Sequence, residues 1–567
     1  MAKEDPIESK AYGSNYEPIH PQIREWPIAQ FYQNKKENLE EVINRTMEKM
    51  NGSSPTVEDL EADLAKTYYS EMQRITKNPW RVDKADEKEF WNSLKKDTNS
   101  IDADASEQQK IDKYKEASRL IVERYANEIS ATFDPQAYHF AKRFLSFGFT
   151  TLLNGLQARN LKALFDHRIF IQDRIRIFGE IEKIRSLAKK GTIVLLPTHF
   201  SNLDSIILGW GIHAIGLPAF IYGAGLNLFN SKTVGYFMNR LGAYKVDRRK
   251  KNPYYLETLK MFSTVSLEKG CHSLFFPGGT RSRSGAIEEH LKLGLLSTAF
   301  EAQRNLINKE ESSEENKIFV VPLVMSYHFV LEAKSLIKQF LRSENVEQYY
   351  FNKDEFTSKK KVTSFIFQLL RKRSSIYLSF GEPTDLFGNH VDEEGRSINN
   401  GQVIDIKDYF RSEGNVKKDS QRDGVYTKQL GDTIVNKFLE TNIVLSSHVV
   451  AHVAYQYYLK KFSANDFFDL TEIDKKELEI PKNEIYAALR KLQAQLFELE
   501  KQGKLKISEP VKFSVEELCA DGIKNVGVFH NKKPLAFTKS GDVLAEDLSL
   551  LYYYHNRLNG YDFERFL

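Results

Sequence analysis

The sequence has few cysteines and no large excess of charge of either sign. Cys271 and Cys519 are the only cysteines among 567 residues, which excludes a disulfide framework and a cysteine-rich metal site. This scarcity fits a reducing compartment. Lysine and arginine number 81 against 77 aspartates and glutamates, and the resulting net charge of +4 is too small to indicate nucleic-acid binding. Any cationic function must therefore come from local clusters.

A long apolar run is also lacking. Residues 1–6 contain no apolar core of a signal peptide, so we expect none. The longest stretch without Asp, Glu, Lys or Arg covers 205–231, which is long enough to span a bilayer. Its glycines and Pro218 favour a buried helix, a turn and a strand over one spanning helix.

Composition is that of a folded chain, with 41% hydrophobic and 28% charged residues. A length of 567 residues suggests two to four domains at roughly 150 residues each. Residues 1–185 carry apolar residues at helical spacing and predict an N-terminal helical region without evident chemistry. Residues 386–425 are rich in Gly, Asn, Asp and Ser and predict a loop or linker. Residues 426–567 predict a mainly helical C-terminal region.

Between these flanks, residues 186–385 predict a catalytic domain of the α/β class. Short apolar runs alternate with segments of helical patterning, which is typical of a mixed, largely parallel sheet flanked by helices. The expected strands are 192–197, 219–222, 243–246, 273–276, 318–323 and 376–380, and the clearest helices between them are 253–268 and 292–305. Chemistry in such domains lies at the carboxyl ends of strands.

The first candidate site follows the strand 192–197. His199 and Asp204 are five positions apart, about 500° on one helix, so they meet only if a turn separates them. Ser201 and Asn202 suit such a turn or a helix cap. An aspartate that holds one ring nitrogen leaves the other as a general base for an alcohol. Taken alone, this spacing is equally compatible with a structural histidine beside a capping aspartate.

A glycine- and arginine-rich loop follows the strand 273–276. Gly278 and Gly279 allow backbone N–H groups to approach a ligand closely. Arg281 and Arg283 present forked donors that suit a phosphate dianion. The loop lacks the spacing of a Walker motif. A solvated polar loop is the less favoured alternative.

Two further segments are strongly basic. In the segment 242–251, Arg248 follows a short strand and is expected to reach the same anion as Arg281, whereas 249–251 predict a solvated face that can touch anionic lipid. Residues 359–373 predict a basic amphipathic helix, either on an anionic membrane surface or packed on the domain.

In their order along the chain, these motifs resemble the glycerolipid acyltransferase superfamily, whose members transfer fatty acyl groups onto glycerol phosphates. His199 and Asp204 match its H-x-x-x-x-D pair, and Arg248 stands at the arginine of its second motif. Residues 276–283 are similar to its third motif, and Val321-Pro322 to its fourth. The resemblance covers mainly residues 190–385.

Phe380-Gly381-Glu382-Pro383 and the leucine- and tyrosine-rich segment 550–556 are similar to the glycerol-3-phosphate acyltransferase branch. Two departures from the family pattern stand out. Many members carry Glu in the third motif where this chain has Gly278, which makes the acceptor less certain. In the fourth motif Tyr327 is followed by His328, where a Tyr-Glu pair is common.

The resemblance implies transfer from an acyl thioester to the 1-hydroxyl of glycerol 3-phosphate. His199 would deprotonate the hydroxyl, and Asp204 would orient His199. The guanidiniums of Arg248, Arg281 and Arg283 would bind the phosphate. The backbone N–H groups of Gly278 and Gly279 would donate to the oxyanion. No metal is expected, because the histidine and acidic residues near the motifs lack a ligand-like set. No cofactor is expected either, and the acyl donor is acyl-CoA or acyl carrier protein as a substrate.

Other functions stay open at this point. The acceptor of an acyltransferase could be lysophosphatidic acid or dihydroxyacetone phosphate. A non-enzymatic alternative is a membrane-surface scaffold that uses the basic clusters. The expected location is the cytoplasmic side of the cell membrane, with peripheral attachment to an anionic surface. Acyl carrier protein is an expected candidate partner, and nucleic acid is not expected to bind.

Overall fold

A seven-stranded sheet forms the centre of the structure. The structure, a computed structural model, describes residues 16–54, 56–101, 104–142, 175–230, 232–309, 316–344 and 375–566. The strands of the sheet are β1 (Ile175–Phe178), β2 (Gly191–Pro197), β3 (Ile221–Gly225), β4 (Ala243–Val246), β5 (Ser273–Leu274), β6 (Lys317–Tyr327) and β7 (Ile376–Phe380). They lie in the order β1-β7-β6-β2-β5-β3-β4.

Neighbouring strands in this sheet are parallel except for the β6–β7 pair. Strands β2 and β6 lie in its middle and are almost entirely buried. Burial on both faces explains their continuous apolar sequence, since helices cover both sides of a parallel sheet. The expected α/β class with a largely parallel sheet is confirmed.

Helices flank the sheet and form the N-terminal region. The N-terminal helices are α1 (Pro27–Gln33), α2 (Lys35–Ser53), α3 (Val57–Lys77), α4 (Glu87–Asn99) and α5 (Glu107–Ile129). The helices between strands are α6 (Ile181–Lys190), α7 (Asp204–Ala214), α8 (Lys232–Arg240), α9 (Pro253–Glu268), α10 (Leu293–Lys309) and α11 (Ala333–Glu344). Because β1 and α6 begin before residue 186, the sheet starts earlier than the expected boundary.

The N-terminal helices share a core with one side of the sheet. Buried residues of α2, α3 and α5 form one apolar cluster with Ile221, Tyr244 and Phe262. The Ser118 and Tyr254 hydroxyls are 2.7 Å apart across the α5–α9 contact. The N-terminal region is therefore packed on the α/β unit through apolar and polar contacts.

Residues 386–425 form more structure than a linker. They contain strands β8 (His390–Val391), β9 (Ser397–Asn399), β10 (Gln402–Ile404), β11 (Arg411–Ser412) and β12 (Asn415–Val416) and the short helix α12 (Lys407–Phe410). Contacts between aromatic rings explain why this segment is folded. Phe387 stacks on Tyr409 with ring centroids 4.1 Å apart, and it contacts Phe410 and Tyr426 edge-on. The expectation of a loop or linker was wrong because it rested on the content of Gly, Asn, Asp and Ser and left out these aromatic residues.

The C-terminal region is mainly helical, with short strands between helices. Its helices are α13 (Ser420–Thr441), α14 (Ser446–Lys461), α15 (Phe467–Thr471), α16 (Lys482–Lys501), α17 (Val515–Asn525) and α18 (Leu548–His555), and its strands are β13 (Ile443–Val444), β14 (Glu479–Ile480), β15 (Lys506–Ile507), β16 (Leu535–Phe537) and β17 (Val543–Ala545). Helices α14, α16, α17 and α18 contribute to the same apolar core as the outer face of the sheet. This region is therefore part of the α/β body.

Residues 205–230 of the uncharged stretch fold as expected into most of α7, a turn and β3, and a short 3₁₀ helix at Leu226–Asn230 follows. Among the described residues, no helix combines the length and the apolar content that crossing a bilayer requires. The basic segment 359–373 lies outside the described residues.

Buried histidines predict a loss of stability in acid. Burial lowers the pKa of His272 to about 3 and those of His328 and His452 to about 4. The unfolded chain binds protons at these rings near pH 6.5 and the folded chain does not, so stability is present above pH 6.5 and is lost as the pH falls toward 4. For each ring, we expect the free energy of unfolding to fall by up to about 1.4 kcal/mol per unit decrease of pH in this window. Urea-induced unfolding at several pH values measures this loss.

His272→Asn is the matched variant for this test. The Nδ1 atom of His272 accepts a hydrogen bond from the Ile193 N–H at 3.1 Å, and an asparagine oxygen can replace that acceptor without titrating. The variant should lose less stability than the wild type between pH 7 and pH 5. Equal losses in both proteins would contradict the prediction.

Candidate active site

The turn between β2 and α7 brings His199 and Asp204 together. β2 ends at Pro197, and α7 begins at Asp204, so the two side chains are not on one helix. The His199 Nδ1 and Asp204 Oδ2 atoms are 2.8 Å apart. A carboxylate can only accept here, so the ring proton lies on Nδ1 and Nε2 keeps its lone pair. The predicted geometry of a histidine steered by an aspartate is present.

Asp204 is fully buried and accepts three further hydrogen bonds. Its Oδ2 atom accepts the backbone N–H groups of Phe200 at 2.7 Å and Ser201 at 2.9 Å. Its Oδ1 atom accepts the Tyr327 hydroxyl at 2.6 Å. The position in the first turn of α7 adds the favourable field of the helix N-terminus. These contacts hold the carboxylate in one orientation toward His199.

The His199 ring is fixed from a second side by Phe276. Their ring centroids are 3.9 Å apart and the planes are tilted by only 19°. The His199 side chain keeps 16% of its surface exposed, while Asp204 keeps none. A substrate can therefore reach the imidazole, and the carboxylate behind it is shielded from water.

The glycine–arginine loop is attached to the backbone of His199. The Ser282 N–H donates to the His199 carbonyl at 2.7 Å, and the Glu288 carboxylate accepts the His199 N–H at 2.8 Å. The Gly279 N–H donates to the Phe276 carbonyl at 3.0 Å. Gly279 adopts φ +75°, so it forms a turn and its N–H does not face a ligand, contrary to expectation. The expected oxyanion donor is thus reduced to Gly278.

Two of the three expected phosphate-binding guanidiniums lie near each other. Partial burial and then the nearby Arg281 cation lower the pKa of Arg248. Arg281 contacts Glu332, with 3.3 Å between its guanidinium nitrogen and Oε1. Arg283 is half-buried two residues further along the loop. Two guanidiniums that repel each other form a site that an added anion would stabilise.

Glu332 was not found by sequence reasoning. Its buried carboxylate accepts the Ser201 hydroxyl and the Asn202 N–H, both at 2.9 Å, as well as Arg281. It therefore ties the His199 turn to the arginine loop. Burial raises its pKa. Its only signal in the sequence is a lone acid five positions after Tyr327, which no spacing rule singles out.

Comparison with known proteins finds a family match over the part of the chain that holds this site. Residues 179–326, which include His199, Asp204, Arg248 and the arginine loop, match the family described as Acyltransferase. The region that holds the candidate site is therefore similar to that family.

This chain is similar to curated relatives named glycerol-3-phosphate acyltransferase. It is 24% identical over 351 residues to the glycerol-3-phosphate acyltransferase of Alteromonas mediterranea, covering 61% of this chain and 37% of the relative. It is 23% identical to the enzyme of the same name from Pseudoalteromonas atlantica, covering 62% and 38%. The chain thus spans less than two fifths of the length of these relatives.

A solved structure, the 1-acyl-sn-glycerophosphate acyltransferase of Thermotoga maritima, is also similar. It is 14% identical, and the match covers 56% of this chain and 94% of that one with a TM-score of 0.24. The fold class of this chain follows from the seven-stranded sheet described above.

Two of the three expected solvated cations, Arg249 and Lys250, are paired inside the protein, whereas Lys251 is exposed as expected. Arg249 is paired with Asp247 and Asp83, and its guanidinium carbon lies 3.9 Å from the centroid of the Trp80 ring. Lys250 is buried and paired with Glu128. For these two cations the expectation was wrong because the partners lie in the N-terminal region, far away in sequence. These cations join that region to the sheet edge.

A cavity of about 430 Å³ lies at this junction. Its lining includes four cations, Lys84, Arg240, Lys245 and Lys250, and four carboxylates, Asp83, Glu87, Glu128 and Asp247. These charges balance, and His199 and Asp204 do not line the cavity. We therefore place the candidate active site at the His199 turn.

Arg557 from the C-terminal region completes the surroundings of the His199 turn. Its guanidinium carbon lies 4.2 Å from the centroid of the Phe200 ring. The same group donates to the Met325 carbonyl at 2.7 Å and the Ser326 hydroxyl at 3.1 Å. Burial lowers the pKa of Arg557 to about 10, which leaves it charged at neutral pH. Sequence reasoning noted the preceding leucines and tyrosines and missed this arginine.

Proposed function

We propose that this protein moves a fatty acyl group from an acyl thioester to the 1-hydroxyl of glycerol 3-phosphate. The supporting observation is the His199–Asp204 hydrogen bond of 2.8 Å, with the arginine loop bound to the same stretch of backbone. A base beside guanidiniums suits an acceptor that carries both a hydroxyl and a phosphate. The names of the curated relatives support the same acceptor.

The proposed reaction passes through direct attack. Nε2 of His199 takes the hydroxyl proton while the oxygen forms a bond to the thioester carbonyl carbon. The Gly278 N–H is the proposed donor to the resulting oxyanion. When the tetrahedral intermediate collapses, the carbon–sulfur bond breaks and the thiolate leaves with the proton held by His199. This sequence assigns no metal and no cofactor.

Arg248, Arg281 and Arg283 are the proposed phosphate ligands. Arg281 is the best placed, because its partner Glu332 also holds Ser201 and Asn202 in the His199 turn. The acceptor phosphate would thereby be bound close to the proposed base.

We also propose peripheral attachment to the cytoplasmic face of the cell membrane, because the product is a lipid. The internal pairing of Arg249 and Lys250 removes two cations from the surface that a membrane scaffold would use. The scaffold alternative predicts lipid binding that survives loss of both His199 and Asp204, with no thiol release from acyl donors.

One assay decides between the acceptors. Purified protein is incubated with acyl-CoA or acyl-acyl carrier protein and, in separate reactions, with glycerol 3-phosphate, dihydroxyacetone phosphate or lysophosphatidic acid. We expect thiol release and lysophosphatidic acid from glycerol 3-phosphate. Product from another acceptor alone would replace the proposed substrate, and no thiol release with any acceptor would reject the enzyme.

Arg281→Ala should raise the acceptor KM. Loss of a charge-assisted hydrogen bond costs about 1.5–3 kcal/mol, which corresponds to roughly a 10- to 100-fold rise. Arg281→Lys should give an intermediate value, since lysine keeps the charge and loses the fork. Steady-state kinetics with varied glycerol 3-phosphate measure the effect, and Arg490→Ala, an exposed arginine of α16, is the control. An unchanged acceptor KM would show that the phosphate binds elsewhere.

A further inference from the structure

The Glu288 carboxylate lies against the active-site turn, ten positions after Gly278. Its Oε1 atom accepts the His199 backbone N–H at 2.8 Å. Its Oε2 atom is shielded from solvent and has no hydrogen-bond partner among the described residues. A shielded carboxylate oxygen without a donor costs stability, so the position of this side chain calls for a functional reason.

Gly278 and Glu288 occupy adjoining space that only one side chain can fill. A Cβ atom added at Gly278 would lie 2.8 Å from Cγ of Glu288 and 3.3 Å from its Oε1. The first distance is shorter than van der Waals contact, so any larger residue at 278 would displace Glu288. The second distance is of the order spanned by the three bonds between Cβ and Oε of a glutamate. A glutamate at 278 could therefore place its carboxylate where Oε1 of Glu288 now lies.

We propose that Glu288 is a positioning residue for His199, and that it supplies from the segment before α10 the carboxylate that position 278 lacks. The proposal rests on the proposed function, because an effect on turnover presupposes that His199 is the base. It agrees with the departure from the family pattern at Gly278 described above.

The contacts around His199 show how Glu288 would act. The loop holds the His199 carbonyl through the Ser282 N–H at 2.7 Å, and Glu288 holds the His199 N–H on the other side of the same residue. Phe276 covers the ring. Without the Glu288 contact, His199 keeps the hydrogen bond of its carbonyl and loses that of its N–H, so the imidazole can shift relative to Asp204. A displacement of about 1 Å at a reacting group can cost roughly 10²-fold in rate.

A swap of the two side chains tests the proposal. Glu288→Ala should lower kcat about 10- to 100-fold, with the acceptor KM changed less than threefold. Glu288→Gln keeps an oxygen acceptor and should retain kcat within about threefold. Gly278→Glu alone should be impaired by the contact with Glu288. The double variant G278E/E288A should recover at least tenfold in kcat over E288A.

Thermal unfolding of every variant accompanies the kinetics. Unchanged kcat in folded E288A would overturn the proposal, and so would a double variant that regains stability without regaining kcat. If E288A does not fold, G278E is compared with G278E/E288A instead. A kcat of the double variant below that of G278E would overturn the proposal. Activity of His199→Ala separates the two hypotheses. If H199A is inactive while the Glu288 variants keep wild-type kcat, only the role of Glu288 is rejected. If H199A is fully active, the proposed function itself is rejected.

Discussion

Replacing His199 by alanine is expected to lower the turnover number by about 10²- to 10⁴-fold. The substitution removes the imidazole that Asp204 orients, and the acceptor hydroxyl then loses its proposed base. The fold should survive, because the His199 side chain is partly exposed and its backbone contacts with Ser282 and Glu288 remain. Thiol release from an acyl donor in the presence of glycerol 3-phosphate measures the loss.

His139→Ala is the matched control for this prediction. His139 is exposed and lies in the N-terminal region, so the variant should keep wild-type turnover. Turnover in H199A within threefold of the wild type would contradict the general-base mechanism. A parallel loss in both variants would show that the effect does not come from the site.

Deletion of residues 547–567 is expected to prevent stable folding of the α/β body. Helix α18 and the turn after it bury Leu550, Leu551, Tyr553, Tyr554 and Leu558 almost completely. At roughly 1.5–3 kcal/mol for each buried side chain, their loss amounts to on the order of 10 kcal/mol, comparable to the whole stability of a typical domain. Soluble yield and urea-induced unfolding measure the effect.

A short deletion provides the control. Glu564 and Arg565 are exposed, so removal of residues 564–567 should change stability little. Leu551→Ala is a milder test that should cost about 2–5 kcal/mol. A protein lacking 547–567 that unfolds at the wild-type urea concentration would contradict the structure.

The central elements could be read from the sequence because their local signals agree. Residues 243–246, 253–268 and 376–380 were expected as a strand, a helix and a strand, and the structure has the same bounds. Asn252 caps α9 through the Tyr255 N–H, and Pro253 fits its first turn, so the start of that helix is fixed locally.

Strand β6 shows where local signals were insufficient. The expected strand 318–323 ends one residue after Pro322, a residue that disfavours a continuing strand, yet β6 extends to Tyr327. The Pro322 carbonyl accepts the Gly381 N–H at 2.7 Å, and residues 323–327 pair with β7. Pairing with a distant strand therefore outweighed the proline. The continuation matters for the site, since it delivers the Tyr327 hydroxyl to Asp204.

The residues of the candidate site likewise fall into those that local motifs indicate and those that only the fold reveals. His199 and Asp204 belong to one compact motif and Arg281 to another, and each motif follows an expected strand, where chemistry in an α/β domain is found. Glu288, Glu332 and Arg557 act through contacts with residues far away in sequence, and single acids or arginines of this kind are common on protein surfaces. Only the three-dimensional fold distinguishes them from solvated side chains.

The contact between Arg557 and Phe200 also bears on biosynthesis. The His199 turn is made early on the ribosome, and Arg557 emerges only after the sheet, α13 and most of the C-terminal helices have been translated. Until then the Met325 carbonyl and the Ser326 hydroxyl lack a bonding partner that the mature protein provides. In a nascent chain that has not reached residue 557, the surroundings of the His199 turn therefore lack the Arg557 contacts seen in the folded structure.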